Sequence, residues 1–464
     1  MNNMDQKKVN LLTEGNILKS IIFLAVPILL GNLLQSLYNL TDTFWVGRLG
    51  EEAVAAVSLS FPVIFLIIAF AGGIGLAGAI LVAQYKGRED SENVNKVSGQ
   101  TFLMAFIASI VLGAIGYFLA PGIVRLLGAE QEVIPGAVSY MSISFIGVLF
   151  VFGYAIYQSL ARGVGDAKTP VYIVLGTVLL NFLLDPLFIF GYGFIPGYGV
   201  GGAALSTLGT QAVALMAGLI VLNTGKRGIH LKLHNFKPDF SLMKKIIKLG
   251  IPSSLEQSSR SIGFILMVGI VASFGTTILA SYGIGQQIIM LVIIPALSLS
   301  IANSTLVGQN IGAGKPERAE KIARISTLIG FISLTFIGII LFIFAPSLVS
   351  IFVPGETEVI KYGTQFIRVV ALFFGFVGVN MSAFGTLRGA GNTSITMKIA
   401  WASMGIQVVA AYVLSKFTPL AQYGLWLGFP ISSVIGASIS FMIMMNGKWK
   451  EMKIIEHNKI TIAR

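Results

Sequence analysis

Long apolar runs alternate with short polar connections along the whole chain. Each run reaches the about 20 residues that a helix needs to cross a bilayer, and none resembles the alternating strands of about 10 residues in membrane barrels. Only helices and closed barrels satisfy the backbone in lipid, so the pattern predicts an all-α integral membrane protein with twelve transmembrane helices. The predicted spans lie at about 17–46, 53–83, 99–120, 133–160, 170–190, 201–222, 246–273, 278–307, 322–344, 358–385, 395–415 and 424–446.

Composition and charge support a membrane protein. Only 11% of the 464 residues are charged and 55% are hydrophobic, whereas globular domains carry about 25% charged residues. A net charge of +12 would favour nucleic acid in a soluble protein, but here 26 Lys and Arg fall on one side of the spans and four on the other. The positive-inside rule therefore predicts a multi-pass protein of the cell membrane, with lipid rather than nucleic acid as its partner and both termini cytoplasmic.

The two halves of the sequence repeat at a nearly constant offset. Three motifs of the first half return in the second: LAVP at 24–27 as LGIP at 249–252, VAQYKG at 82–87 as VGQNIG at 307–312, and LARGVGD at 160–166 as TLRGAGN at 386–392. An offset that stays constant across several motifs indicates an internal duplication. Each half has an even number of spans, so we expect two six-helix lobes related by a parallel pseudo-two-fold repeat.

The duplication sets the predicted domain organisation. Residues 1–222 form an N-terminal six-helix lobe, 223–245 a cytoplasmic linker, 246–446 a C-terminal six-helix lobe and 447–464 a basic cytoplasmic tail. The linker is the most basic connection, so we expect it to lie near anionic lipid headgroups. We expect the chain to act as a monomer.

Two acids of the first half occupy positions at which a bilayer disfavours charge. Asp42 lies in the first span and Asp185 in the fifth, where a carboxylate costs about 2.5–3.5 kcal/mol on insertion scales. Two carboxylates in a poorly hydrated pocket cannot easily both ionise, so the pair is a candidate proton carrier. Alternatively, the amide oxygens of Asn181 and Asn39 complete a Na⁺ site, or each acid only hydrogen-bonds a neighbouring helix.

The first span carries a polar stripe. Its members share one helical face because they are spaced three, four and three residues apart. They are Asn32, Gln35, Asn39 and Asp42. A lipid-facing stripe would be costly, so we expect it to line a substrate cavity, with Tyr140 of the fourth span as a further candidate for the cavity wall or for the membrane interface. Pro27 removes one helical hydrogen bond upstream and predicts a bend.

The second half lacks the acid pair. The offset of the repeat relates Asp42 to Met267, so we expect cation coupling in the first half. The membrane acid of the second half is Glu256, and Arg260 follows four residues later at a spacing that suits an intrahelical ion pair. A role of both residues in substrate or cation binding, and a pair of Glu256 with Arg368, are the alternatives.

The sequence excludes several classes of function. It has no cysteine, so disulfides, thiolate metal sites and cysteine nucleophiles are excluded. No Gly-Lys pair completes an ATP-binding loop, and the glycine-rich run at 73–78 lies inside a span with no strand before it. We therefore expect no enzyme and no cofactor, only a coupling ion, H⁺ or Na⁺.

Motifs in both halves resemble one transporter family. LTDTFWVGRLGEEAVAAVSLSFP, VAQYKG, ARGVGDAKTP and NFLLDPLFIFGYG in the first half, with VGQNIGAG and LRGAGNT in the second, are similar to the multidrug and toxic compound extrusion (MATE) family over about residues 15–450. The resemblance implies two six-helix lobes around a central cleft, and export driven by inward H⁺ or Na⁺.

The acids are most similar to those of the DinF-like branch of that family, whose coupling acids lie on spans one and five. That resemblance implies that Asp42 and Asp185 bind the cation, with Asn181 beside them and Tyr140 nearby. It also implies that Pro27 is the bend position of the first span.

Two positions depart from the family pattern. Another branch has acids on spans seven and ten, and Glu256 fits only the first of them. Some members add a hydroxyl from span six, where this chain has Ala203 and Ala204, with Ser206 or Thr207 as possible substitutes.

These observations predict a secondary active antiporter that exports amphipathic, cationic organic compounds such as drugs or toxic metabolites. A lipid-linked precursor flippase of the same superfamily is the nearest alternative, although such proteins commonly have fourteen spans and a strongly basic cavity. A cation channel is an alternative of another class, which the duplication disfavours.

Overall fold

The computed structural model describes residues 10–193, 195–452 and 454–455, and these residues are almost entirely helical. Most of the predicted basic tail lies outside them. One two-residue hairpin, β1 (Gly191–Tyr192) paired antiparallel with β2 (Ile195–Pro196), follows the fifth helix. The long helices are α1 (Ile17–Gly47), α2 (Glu51–Gly87), α3 (Ser91–Leu126), α4 (Ile134–Gly163), α5 (Lys168–Phe190), α6 (Val200–Thr224), α7 (Phe240–Ala272), α8 (Thr276–Gly312), α9 (Pro316–Phe352), α10 (Thr357–Ala371), α11 (Phe374–Gly389), α12 (Thr393–Lys416) and α13 (Gln422–Met445).

These helices confirm the all-α prediction with twelve spans. In the described part of the chain, 10 helices are long and apolar enough to cross a membrane, and α10 with α11 forms a further span bent by 52°. The twelfth is α7, which has 33 residues and carries Glu256 and Arg260.

One predicted span differs from the structure. The sequence predicts an uninterrupted helix over 358–385, whereas the observed helix breaks after Ala371. Gly375 and Gly378 of α11 lie so close to α9 that a Cβ on either would collide with Thr335 or with the backbone of Gly330. The second part of the span therefore packs closely along α9, a contact that the apolar pattern alone does not reveal.

The duplication extends to the backbone. Gly50 precedes α2 with φ 109°, and its counterpart in the repeat, Gly275, precedes α8 with φ 98°. Gly165 and Gly391, which occupy the same place in the RGVGD and RGAGN motifs, have φ 86° and 91°. Glycine adopts this left-handed region without the steric cost that a Cβ imposes. Equivalent turns in both halves thus use the same residue for the same conformation.

Contacts divide the described chain into two compact units, and the divisions fall inside helices. The first unit consists mainly of Val26–Ser254, and the second of Leu11–Ala25 with the residues from Leu255 onward. One division lies beside Pro27 in α1 and the other beside Pro252 in α7. The sequence predicts that α1 belongs to the first lobe and α7 to the second. By contacts, the part of α1 up to Ala25 groups with the second unit, and the part of α7 up to Ser254 groups with the first unit. Proline removes a helical hydrogen bond near both divisions.

The linker between the halves is held against α3 by one buried amide. The Gln100 side chain donates from Nε2 to the carbonyl oxygens of Asn235 at 2.8 Å and Lys237 at 2.7 Å, and its Oε1 accepts from the backbone N–H of Asp239 at 2.9 Å. Gln100 is fully buried. These three bonds satisfy three backbone groups of the linker with one side chain.

Two exposed contacts reinforce this attachment. Lys96 Nζ lies 2.6 Å from Asp239 Oδ2, and the Lys96 ammonium, with the backbone N–H of Leu242, holds the pKa of Asp239 below its usual range. The backbone N–H of His230 donates to Asn95 Oδ1 at 2.8 Å. Surface contacts of this kind contribute little to stability.

We expect Gln100→Leu to lower the free energy of unfolding by about 1–3 kcal/mol for each backbone group left buried and unsatisfied. The linker should also become more sensitive to trypsin, because its lysines lose their attachment. Thermal unfolding in detergent and limited proteolysis measure the two effects. Asn95→Ala, which removes one exposed bond, is the control and should change both much less. Equal proteolysis of Gln100→Leu and wild type would contradict this role.

Candidate functional site

The two acids of the first half meet among α1, α5 and α6. Thr207 of α6 donates from Oγ1 to Asp42 Oδ1 at 3.4 Å, and Asn181 donates from Nδ2 to Asp185 Oδ1 at 2.8 Å and to Ser206 Oγ at 3.3 Å. Ser206 and Thr207 are adjacent on α6, so the bonds of Asn181 to Ser206 and of Thr207 to Asp42 bring both acids to one part of this helix. Three helices therefore converge on one cluster of oxygen atoms, which we call the acid cluster: Asp42, Asn181, Asp185, Ser206 and Thr207.

Burial makes it costly for both carboxylates of this cluster to be ionised. Asp185 and Asn181 are fully buried, and Asp42 is half-buried. Among the described residues, Asp185 Oδ2 and Asn181 Oδ1 have no hydrogen-bond partner. A buried ionised carboxylate without compensation is expensive. Both free atoms are acceptors, so a proton or a small cation is the species that would satisfy them.

The hydroxyls of α6 correct one expectation. The sequence places Ala203 and Ala204 at the register of the extra hydroxyl, and the structure buries both in an apolar cluster with Val46 and Ile189. The hydroxyls of the acid cluster come from one turn further along the helix: Thr207 donates to Asp42, and Ser206 accepts from Asn181. The sequence indicates these two residues only as possible substitutes, because the absolute rotation of α6 is not encoded in its spacing.

Two tyrosines lie beside the acid cluster. Tyr140, a predicted wall residue, is 9% exposed and belongs to the apolar cluster of Val46 and Ile189, close to the acids along α1 and α5. Tyr38 was not predicted, although it stands four residues before Asp42 on α1, and this spacing was a usable signal. Its hydroxyl lies 2.5 Å from Thr210 Oγ1. Tyr38 and Asp42 thus both connect α1 to α6.

The polar stripe of α1 divides in the structure. Asn39 is exposed, and no hydrogen bond joins its side chain to the acids in the described part of the chain, so its place in a Na⁺ site stays a prediction. Asn32 and Gln35 instead line a small recess together with Pro27. The stripe spans more than one helical face, since its members diverge over three turns.

In the second half, Glu256 forms a buried ion pair with Arg388 of α11. The guanidinium donates from Nε to Glu256 Oε2 at 3.2 Å and from Nη2 to Oε1, and the two side chains of Arg388 and Glu256 are 9% and 1% exposed. This bidentate arrangement is the strong form of the Arg–carboxylate interaction. Glu256 therefore has a fixed partner within the protein.

This pair replaces both predicted partners of Glu256. Arg260 is exposed and contacts Met381 Sδ at 3.4 Å, and Arg368 is exposed and donates to the carbonyl oxygen of Phe342 at 3.3 Å. Arg388 was visible in the sequence as part of LRGAGNT. The motif served only as evidence of the duplication and of the family resemblance, because spacing along one helix identifies only partners on that helix.

Known proteins resemble the chain over almost its full length. The MatE family model matches residues 27–187 and 252–413. Relatives include the "Probable multidrug resistance protein YpnP" of Bacillus subtilis, 30% identical over 95% of this chain and 98% of that protein. Another is the "Probable multidrug resistance protein YoeA" of the same species, 31% identical over 91% and 92%. A crystal structure of a MATE protein in the bent conformation covers 97% of this chain and 99% of its own, with 27% identity and a TM-score of 0.90.

We expect Glu256→Gln and Arg388→Gln each to lower the free energy of unfolding by about 3–5 kcal/mol, since either leaves a buried charge unpaired. The double variant should lose less than the sum of the two, because the residues are coupled. Chemical denaturation in detergent measures all three. Arg260→Gln is the matched control and should cost far less. A larger loss in Arg260→Gln than in Arg388→Gln would restore the pairing predicted from sequence.

Proposed function

Because the chain belongs to the multidrug and toxic compound extrusion (MATE) family, we propose that it is a secondary active antiporter that exports amphipathic organic compounds, cations among them, in exchange for H⁺ or Na⁺. The observation that carries this proposal is the acid cluster, in which two carboxylates and an amide meet two hydroxyls. The relatives named multidrug resistance proteins support the substrate class.

The coupling ion binds at the acid cluster. Asp185 Oδ2 and Asn181 Oδ1 are acceptors without donors among the described residues. A proton on Asp185 supplies one donor, whereas Na⁺ is held by oxygen atoms of Asp42, Asp185 and Asn181. Oxygen ligands suit a hard cation. In either case the ion removes negative charge from a site that disfavours it.

Ion binding acts on the contacts between α1 and α6. An ionised carboxylate only accepts hydrogen bonds, whereas a protonated one also donates. The bond from Thr207 to Asp42 therefore differs between the loaded and empty states, close to the bond between Tyr38 and Thr210. A cation shifts a conformational equilibrium only by its differential affinity for the two states. These two contacts give the cation a means of favouring one position of α1.

The protein works in the cell membrane with both termini in the cytoplasm. The 26-to-4 division of Lys and Arg supports this orientation. Compounds enter the transport cycle from the cytoplasmic side, and the cation gradient, not ATP, supplies the free energy. The chain acts as a carrier that binds its substrates without chemical change.

The test is efflux of rhodamine 123, a fluorescent organic cation, from proteoliposomes under a pH gradient or a Na⁺ gradient applied separately. We expect one gradient to drive transport in the wild type. Asp42→Asn and Asp185→Asn should lose the gradient-driven part, because an amide cannot take up H⁺ and binds Na⁺ poorly.

Glu52→Gln is the matched control, since it neutralises an exposed acid at the start of α2. It should leave gradient-driven efflux intact. Undiminished efflux in Asp42→Asn would remove the acid cluster from the mechanism. Ion current without exchange of substrate would indicate a channel.

A further inference from the structure

A small recess in the first unit contains an arginine. Its volume is about 50 Å³, and α1, α4 and α5 enclose it. The polar residues at its surface are Asn32 and Gln35 of α1 with Gln158 and Arg162 of α4. The remaining surface is apolar or glycine, from residues such as Val171 and Gly31. The recess therefore presents one positive charge and no acid.

Arg162 forms no ion pair in the described part of the chain. Its Nη2 donates to Gln158 Oε1 at 2.5 Å. Asp166, the acid of the same motif, lies 3.9 Å from Arg227 Nε, and no ion pair joins it to Arg162 among the described residues. A guanidinium carries five N–H donors in a planar fork that matches a carboxylate. One amide oxygen satisfies a small part of this capacity.

The internal duplication shows what the equivalent arginine does in the other half. Arg162 and Arg388 occupy the same place in the repeated motifs LARGVGD and TLRGAGN. Arg388 is neutralised by Glu256, and the offset that aligns LAVP of α1 with LGIP of α7 places Gly31 at the position of Glu256. The same arginine thus faces a carboxylate in the second half and a glycine in the first.

Packing does not require glycine at this position. A Cβ built on Gly31 would meet only Val171 Cγ2, at the ordinary distance of 3.5 Å. The helix at Gly31 therefore has room for a side chain that the sequence does not supply. What replaces the missing carboxylate is the space of the recess, which Gly31 lines next to Arg162.

We propose that this recess binds the carboxylate of a transported amphiphile, which takes the place that Glu256 holds beside Arg388 in the other half. The proposal rests on the proposed export function and extends its substrates from cations to compounds that also carry a carboxylate. Arg162 supplies a charge-assisted pair, and the amides of Asn32, Gln35 and Gln158 supply neutral hydrogen bonds. Pro27 also lines the recess, so an occupied site also contacts the residue at which α1 lacks a helical hydrogen bond.

The test compares two dyes that differ in one group. Rhodamine 110 has a free carboxylate, and rhodamine 123 is its methyl ester. Fluorescence anisotropy with the purified full-length protein gives the dissociation constant of each. We expect Arg162→Gln to raise the dissociation constant of rhodamine 110 at least about tenfold more than that of rhodamine 123, because the substitution removes a hydrogen bond to a charged group. Arg162→Lys keeps the positive charge but lacks the planar guanidinium, so its affinity for rhodamine 110 should lie between those of the wild type and Arg162→Gln.

A second variant tests the same site by filling it. Gly31→Glu places a carboxylate where the second half has Glu256. The new carboxylate should pair with Arg162 and selectively lower the affinity for rhodamine 110. Gly31→Ala fills only the space of a Cβ and should preserve the difference between the dyes. Arg368→Gln removes an exposed membrane arginine elsewhere and serves as the matched control.

The outcomes separate this inference from the proposed function. Equal weakening of both dyes by Arg162→Gln, or no weakening, overturns the carboxylate site while gradient-driven export of rhodamine 123 still stands. Failure of the wild type to export rhodamine 123 overturns the function itself. Short-chain phosphatidylglycerol is added as a competitor: if it displaces rhodamine 110 in an Arg162-dependent way, the oxyanion is a lipid headgroup and the substrate assignment is overturned. Absence of competition supports the substrate.

Discussion

A charged side chain inside a membrane costs free energy unless a partner of opposite charge, a proton or an ion compensates it. Most of the organisation of this protein follows from how each such charge is compensated. Arg388 and Glu256 compensate each other within the second half. Asp42 and Asp185 have hydroxyl and amide neighbours but no cationic partner among the hydrogen bonds and ion pairs of the described residues. The first arrangement is complete without a ligand, whereas the second needs a species from outside.

Under the proposed function, this difference gives the two halves different roles within one duplicated fold. The second half has a fixed ion pair and a core in which aromatic rings pack closely, as between Phe366 and Trp426 with centroids 4.7 Å apart. The first half holds its acids with weaker contacts, such as the bond of 3.4 Å between Thr207 and Asp42. In the proposed antiport cycle, a site that binds and releases an ion needs contacts that can be exchanged. A structural ion pair needs contacts that stay fixed. Duplication allowed the two halves to diverge in this respect.

The sequence predicted the fold class, the twelve spans and the duplication, because each depends on long apolar periodicity or on constant spacing. It also selected the acids that meet, since an acid in an apolar run is rare. It did not predict contacts between helices. The partner of Glu256, the α6 hydroxyls and the break at Ala371 all depend on helix rotation and approach, which glycine packing and rigid neighbours decide. Spacing along one helix favoured Arg260 for this reason, although the true partner lies on α11.

The comparison of Arg162 with Arg388 shows what an internal duplication adds to a single structure. Two copies of one arginine in equivalent turns share the same local backbone, so their different surroundings reflect their partners and not their position. Arg388 has a carboxylate as its partner, whereas Arg162 lies beside a glycine and a recess. Arg162 thus corresponds to Arg388 without its counter-charge. In the proposed carboxylate site, the substrate supplies to Arg162 the counter-charge that Glu256 supplies to Arg388 in the second half.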